Sequence, residues 1–282
     1  MNITSKHTVG IIGGSGRTGS QFARLFRSLG FSVSVTGKQA ESRNAVLVQK
    51  CDLVLFSVPL HTSTDVIAND VRNARRKDQL LLDVSSLKSK QVHALLGGKG
   101  EVIGMHPLFG PHTDPRNETI ILCPARCSKE TLASLQKLLK KMELKTVVMT
   151  PEEHDQRMLL LQVLPHFKSL LLAGILRQRN VNLSELIGIC PPSYKLEFNL
   201  LGRFLDDNPD LYGPIILDNP QTLSLLKLLR RLLDRYIAMV ERKDLSAFKR
   251  NYLDLKRFFG PHAKRARAHS EACIRTLSSL TR

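Results

Sequence analysis

Thr8-Val9-Gly10-Ile11-Ile12-Gly13-Gly14-Ser15-Gly16-Arg17-Thr18-Gly19 is the stretch whose reading decides the fold. A short apolar run ends in glycines, and Phe22, Leu25, Phe26 and Leu29 follow at helical spacing. The pattern predicts a buried strand over 8–13 and a helix over 18–29, closed by Gly30. Between them, Gly14-x-Gly16-x-x-Gly19 matches the G-x-G-x-x-G fingerprint. The first glycine is expected to permit a tight turn, the second to admit a pyrophosphate, and the third to let helix and strand pack closely. A helix N-terminus then meets the negative charge. Gly14, Ser15, Gly16, Arg17, Thr18 and Gly19 are thus the expected dinucleotide-binding residues.

Working outward, Phe31–Val35 alternates as a second strand, and further strands are expected over 52–58, 80–84, 102–105 and 119–123. Helical segments lie between several of them, which predicts an α/β domain with a Rossmann-type, doubly wound parallel sheet. At the end of the second strand, a site for NAD usually carries an Asp or Glu against the ribose 2′-hydroxyl. Here that end reads Val35-Thr36-Gly37-Lys38-Gln39, with Ser42 and Arg43 just beyond. Cations and hydroxyls suit a 2′-phosphate, so the cofactor is expected to be NAD or NADP, with NADP favoured. Lys38 and Arg43 join the expected cofactor set, as do Ser57 and Pro59 where the third strand stops.

From Glu152 the texture changes to long, Leu-, Lys- and Arg-rich amphipathic helices. The expected organisation is a dinucleotide-binding domain over 1–150 and an all-helical domain over 151–282. With 42% hydrophobic and 24% charged residues, the 282-residue chain has the composition of a globular protein rather than a disordered one. The apolar runs at 9–12 and 53–58 are too short to span a bilayer, and neither a secretory signal nor a membrane association is expected. Five scattered cysteines suit a reducing cytoplasm, and Cys123-x-x-x-Cys127 lacks the partners of a zinc site, so no metal is expected. The formal charge of +17 raises nucleic-acid binding. No aromatic stacking platform or DNA-reading motif accompanies the basic C-terminal helices, so no nucleic-acid partner is expected.

Three further segments carry chemistry. Asp83-Val84-Ser85-Ser86-Leu87-Lys88 and Gly104-Met105-His106-Pro107-Leu108-Phe109-Gly110-Pro111 each follow a strand, at the sheet edge where open α/β folds bind ligands. Glu153-His154-Asp155-Gln156-Arg157-Met158 opens the helical half and runs into Leu164-Pro165-His166-Phe167. In this order behind a glycine loop, these blocks resemble the prephenate/arogenate dehydrogenase family. The resemblance extends to Pro192-Ser193-Tyr194-Lys195-Leu196-Glu197, Leu201-Gly202-Arg203 and Asp210-Leu211-Tyr212. It is strongest to the dehydrogenase part of the bifunctional chorismate mutase–prephenate dehydrogenases. The chain leaves no room for a mutase, so a monofunctional enzyme is expected.

The resemblance implies oxidative decarboxylation of prephenate to 4-hydroxyphenylpyruvate in tyrosine biosynthesis, with hydride passing from C4 to the nicotinamide. His106 matches the family histidine that takes the 4-hydroxyl proton, and Ser86 a serine that orients this histidine and the substrate. His166 matches a histidine lining the substrate pocket, and Lys88 could offer charge to the substrate carboxylates. Lys195 stands where the family usually has an arginine that grips the ring carboxylate. Lysine keeps the charge and loses the two-pronged donor, which implies weaker prephenate binding or a preference extending to arogenate. His112, where relatives often carry a carboxylate, favours prephenate over arogenate. A cyclohexadienyl dehydrogenase, or a weakened dinucleotide-binding paralogue with a regulatory role, stands as the alternative. The Leu-rich helical faces, such as Leu223, Leu226, Leu229, Leu232 and Leu233, are expected to form a homodimer.

Overall fold

The structure, a computed structural model, describes residues 1–38, 43–110 and 113–280. Ser42 and His112 lie outside the described residues. The chain divides into two compact units: residues 1–162 with 210–219, and residues 163–209 with 220–282.

The first unit is built on seven strands: β1 (Thr8–Ile12), β2 (Ser32–Thr36), β3 (Leu53–Phe56), β4 (Leu80–Asp83), β5 (Glu101–Pro107), β6 (Thr119–Arg126) and β7 (Lys145–Val148). They pair in the order β2-β1-β3-β4-β5-β6-β7. As expected, the sheet is mostly parallel and covered by helices on both faces. The exception is the β5–β6 pair, which is antiparallel with a register shift at Val102/Ile103. β7 was not anticipated; it runs parallel to β6 at the sheet edge.

Each inner strand is apolar on both faces, because both are covered. Val9, Ile11, Leu53, Leu55, Leu80 and Leu82 pack against Phe22 and Phe26 of α1 (Arg17–Ser28) and Leu135 and Leu138 of α5 (Lys129–Lys141). Ile12, Val54, Phe56 and Leu81 point the other way, onto α2 (Asn44–Lys50), α3 (Leu60–Asp70) and α4 (Ser89–Leu95) through Val48, Ile67 and Val92. The chain leaves β1 for β2 on one side and returns to β3 on the other. The C-terminal ends of β1 and β3 are therefore a topological switch point, where such sheets leave a crevice. α6 (Pro151–Met158) starts with Thr150 accepting from the Glu153 N–H and with Pro151 in the first turn, and it packs on β6 and α4.

The second unit is all helical. It holds α7 (Leu164–Gln178), α8 (Leu183–Gly188), α9 (Pro192–Asp206), α11 (Thr222–Glu241), α12 (Leu245–Phe259) and α13 (Pro261–Leu280). α10 (Pro209–Leu217) lies almost wholly in the first unit and buries Ile215 and Ile216. α9 packs on α7 and α13, and α12 on α11 and α13. Few of these residues are buried: α7 and α12 bury none, and Leu170, Leu171, Ile175, Leu223, Leu233 and Leu253 stay exposed. Pro151–Gln178, joined through a π-helical turn at Leu159–Val163, is long and apolar enough to cross a membrane by length and composition. Its first turns carry Glu152, Glu153 and Arg157 and bury His154 and Asp155.

Candidate active site

Two features share one edge of the sheet, at the C-terminal ends of the parallel strands. The first is a cavity of about 600 Å³ at the switch point. Ile12, Gly13, Ser15 and Gly16 line it from the β1–α1 loop, Gly37 and Lys38 from the end of β2, and Ser57, Val58 and Pro59 from the end of β3. The glycines work by a division of labour that differs in one respect from expectation. The tight turn falls at Gly13, whose φ of +79° places its absent Cβ 2.2 Å from the Ser57 carbonyl oxygen. Gly14 is there for clearance, since a Cβ would lie 2.7 Å from Val35. At Gly19 a Cβ would approach the Gly13 oxygen to 2.4 Å, so the helix–strand approach needs glycine. α1 has no side-chain cap at Gly16 and no acidic residue in its first turn, leaving its positive end open to an anion. A dinucleotide's pyrophosphate fits this cradle.

Of the cofactor residues expected from sequence, Ser15, Gly16, Lys38, Ser57 and Pro59 line the cavity. Gly14, Arg17, Thr18 and Gly19 shape the loop and helix start behind it. Arg43 caps α2 and is not among the lining residues. Reading the sequence missed Asn44, His61, Asp70 and Asp210, which also line it. Asn44 donates to Asp70 at 2.8 Å.

The second feature is a buried polar cluster between β4, β5 and α6. His106, on β5, is 3% exposed, and its Nδ1 lies 2.8 Å from Nε2 of the fully buried His154. His154 Nδ1 bonds Asp155 Oδ1 at 2.8 Å. The Asp155 carboxylate also accepts the backbone N–H groups of Lys88 and Ser89 at 2.8 and 3.0 Å, and the Ser89 hydroxyl at 2.6 Å. Its backbone carbonyl accepts from Asn219 at 2.9 Å. On the other edge of His106, Nε2 lies 3.5 Å from the half-buried Gln162 amide nitrogen. Burial, then the neighbouring His154 and Lys88, push the His106 imidazole well below its ordinary pKa, so the ring is neutral. Burial also lowers His154. Burial is the largest influence on Asp155 and raises it, but hydrogen bonds from His154, Ser89 and Lys88 outweigh it and keep the carboxylate ionised.

Two expected roles are corrected here. Lys88 cannot meet substrate carboxylates: its side chain is wholly buried, ion-paired to Asp83, and donates to the Met105 carbonyl at 2.7 Å. Room for it comes from Gly104, where a Cβ would sit 3.0 Å from Lys88 Cδ and 2.6 Å from Val92. Ser86 makes no hydrogen bond to His106, whose Nδ1 is held instead by His154. Ser86 is half-buried and carries no hydrogen bond among the described residues. In the second unit, the half-buried His166 of α7 stacks on Phe204 of α9, with ring centroids 5.3 Å apart. Lys195 lies half-buried in the first turn of α9.

The comparisons with known proteins agree with this architecture. Residues 22–149 match the model described as prephenate dehydrogenase, nucleotide-binding domain, and residues 150–253 match prephenate dehydrogenase, dimerization domain. The chain belongs to the prephenate dehydrogenase family. Within it, the T-protein of Enterobacter agglomerans is 29% identical over 94% of this chain and 71% of its own length. A Methanocaldococcus jannaschii protein named "Probable arogenate/prephenate dehydrogenase" is 30% identical over 96% of this chain, which spans 65% of that relative's length. The fold is shared with Aquifex aeolicus prephenate dehydrogenase, solved with hydroxyphenyl propionate and NAD+, at a TM-score of 0.70 and 20% identity. That match covers 89% of this chain and 97% of the other.

Proposed function

We propose that the protein catalyses the oxidative decarboxylation of prephenate to 4-hydroxyphenylpyruvate, as a cytoplasmic enzyme. The observation that carries this reading is His106: a neutral imidazole at the end of β5, on the same sheet edge as the glycine-loop cavity. When bound in that cavity, a nicotinamide dinucleotide supplies the hydride acceptor. His106 Nε2 accepts the proton of the 4-hydroxyl as hydride leaves C4. Loss of the ring carboxylate as CO₂ leaves its bonding pair in the ring, and the phenolate oxygen of the product recovers the proton. Ser86, with its hydroxyl uncommitted, serves as a further substrate contact, and His166 and Lys195 are the substrate-binding residues of the helical unit.

Lys38 supports NADP over NAD, standing after β2 where an NAD site usually carries a carboxylate. Asp70 and Asp210 line the same cavity and temper that preference. The uncovered leucines of α7, α11 and α12 support a homodimer through the dimerization domain. Lys195 in place of arginine supports a second reading, in which arogenate is also accepted. Reduced-nicotinamide absorbance with prephenate and with arogenate, each with NAD and NADP, tests all of these. Turnover with neither substrate sinks the proposal.

A further inference from the structure

His106 is joined to a carboxylate through a second histidine, and the chemistry of the three groups allows only one arrangement of protons. Asp155 is ionised and can only accept, so the bond at 2.8 Å requires a proton on His154 Nδ1. A neutral His154 then has a lone pair on Nε2, and the contact at 2.8 Å requires His106 to donate from Nδ1. That leaves the His106 lone pair on Nε2, the edge facing half-buried Gln162 rather than the buried interior. The Gln162 amide nitrogen lies on the donor side of this same contact, and its Oε1 is buried without a partner among the described residues.

We propose that His154 and Asp155 are positioning residues that hold His106 as its Nδ1–H tautomer, so that Nε2 is the atom that receives the substrate proton. An unbound imidazole favours the opposite tautomer, which would present an N–H to the hydroxyl and could not act as a base. Neither residue touches substrate in this scheme; each acts through the next. The loop after β4 anchors the series, because Lys88 and Ser89 give their backbone N–H groups to Asp155 while the Lys88 ammonium holds the carbonyl of Met105, next to His106. The proton delivered to Nε2 makes His106 an imidazolium, which keeps its Nδ1–H bond to His154, and the ionised Asp155 lies beyond to stabilise the charge.

The inference rests on the dehydrogenase reading for its catalytic meaning but is tested separately. Nitrogen-15 spectra of histidine-labelled wild-type protein, with His106 assigned by its loss in His106→Asn, report the tautomer without substrate. A protonated Nδ1 and bare Nε2 are expected; a bare Nδ1 overturns the proposal even if the enzyme turns over prephenate. His154→Phe keeps the ring and removes the acceptor, and is expected to lower kcat about 10- to 100-fold. KM and NADH binding, followed by fluorescence titration, are expected to stay near wild type. His154→Gln places an amide oxygen near the lost nitrogen and is expected to recover most of kcat and the wild-type tautomer. Equal losses in both variants, or an unchanged tautomer in His154→Phe, would overturn the assignment. If wild type is inactive on prephenate and arogenate yet shows the Nδ1–H form, the substrate reading fails and the relay stands.

Discussion

Asp155 binds the backbone N–H of Lys88 at 2.8 Å, tying the start of the helical half of the sequence to the loop after β4 across 67 residues. Removal of the carboxylate strands that N–H, the Ser89 N–H and the His154 ring together. Asp155→Ala is expected to cost about 3 kcal/mol, read by urea denaturation at neutral pH. The sign with pH follows from a folded pKa below the ordinary 3.8. The stabilisation is complete above that value and is lost as pH falls through the lower folded value. Asp155→Asn should flatten this part of the acid limb; an unaltered pH–stability curve would contradict it.

Lys88 and Asp83 form a second buried pair, and Asp83 Oδ1 has no partner of its own among the described residues. Lys88→Met is expected to destabilise the fold by roughly 3–5 kcal/mol, because it leaves a buried carboxylate uncompensated. The double variant with Asp83→Leu should regain a large part of that loss. A lysine that served the substrate would instead raise KM and leave the denaturation midpoint in place.

For His106 the expected kinetic signature of His106→Asn is a fall in kcat of about 10²- to 10⁴-fold with little change in KM. Because burial and its neighbours hold the ring well below 6.5, it stays neutral into mild acid. The acid limb of kcat/KM assigned to this group is therefore expected below pH 6.5, not centred on it. Stability follows the same sign: His106's contribution is full above 6.5 and declines as pH falls towards the folded value. A kcat/KM profile whose His106-dependent limb lies above 6.5 would show the ring to be more basic than its surroundings allow.

The nucleotide cavity separates shape from charge. Gly19→Ala forces a methyl group to 2.4 Å from the Gly13 carbonyl and is expected to weaken both cofactors at least about tenfold, measured by titration. Lys38→Ala leaves the cradle intact and should weaken NADP alone, by about fivefold for an exposed charge–phosphate contact. Equal effects on NAD and NADP would assign Lys38 to the shared part of the cofactor.

The helical unit's uncovered leucines give a prediction of mass. Light scattering is expected to report twice the 31.6 kDa of one chain. Leu171→Lys, at an exposed apolar position of α7, should shift the population towards monomer. A wild-type protein of single-chain mass would leave those faces without their proposed cover.

The glycine loop and the alternation of strands with helices were legible because their signals are local: a few adjacent residues, or a fixed period. β7 escaped because Lys-Thr-Val-Val is four residues long, largely exposed, and paired on one side only. The reversal between β5 and β6 escaped because strand direction is set by the connection, which composition does not record. At the site, the His154-Asp155 dipeptide was visible as part of a block, but its partner His106 lies 48 residues away. An adjacent His and Asp opening a helix was the available signal. Lys88 misled because its charge suggested solvent, and Asp83, five residues earlier, is not at a spacing that pairs on a regular element.

Gly104 gives the buried lysine its space, and this links two positions that touch no ligand. A methyl group at 104 would press on Val92, Lys88 and Asp83 at 2.6, 3.0 and 3.2 Å, with β5 fixed by strands on both sides. Alanine can enter at 104 only where the residue at 88 is shorter or the residue at 92 smaller. Across the family, these positions are therefore expected to covary as one unit. A glycine inside the His106 block would then record the cost of housing an ammonium beneath the sheet edge, rather than any demand of the substrate.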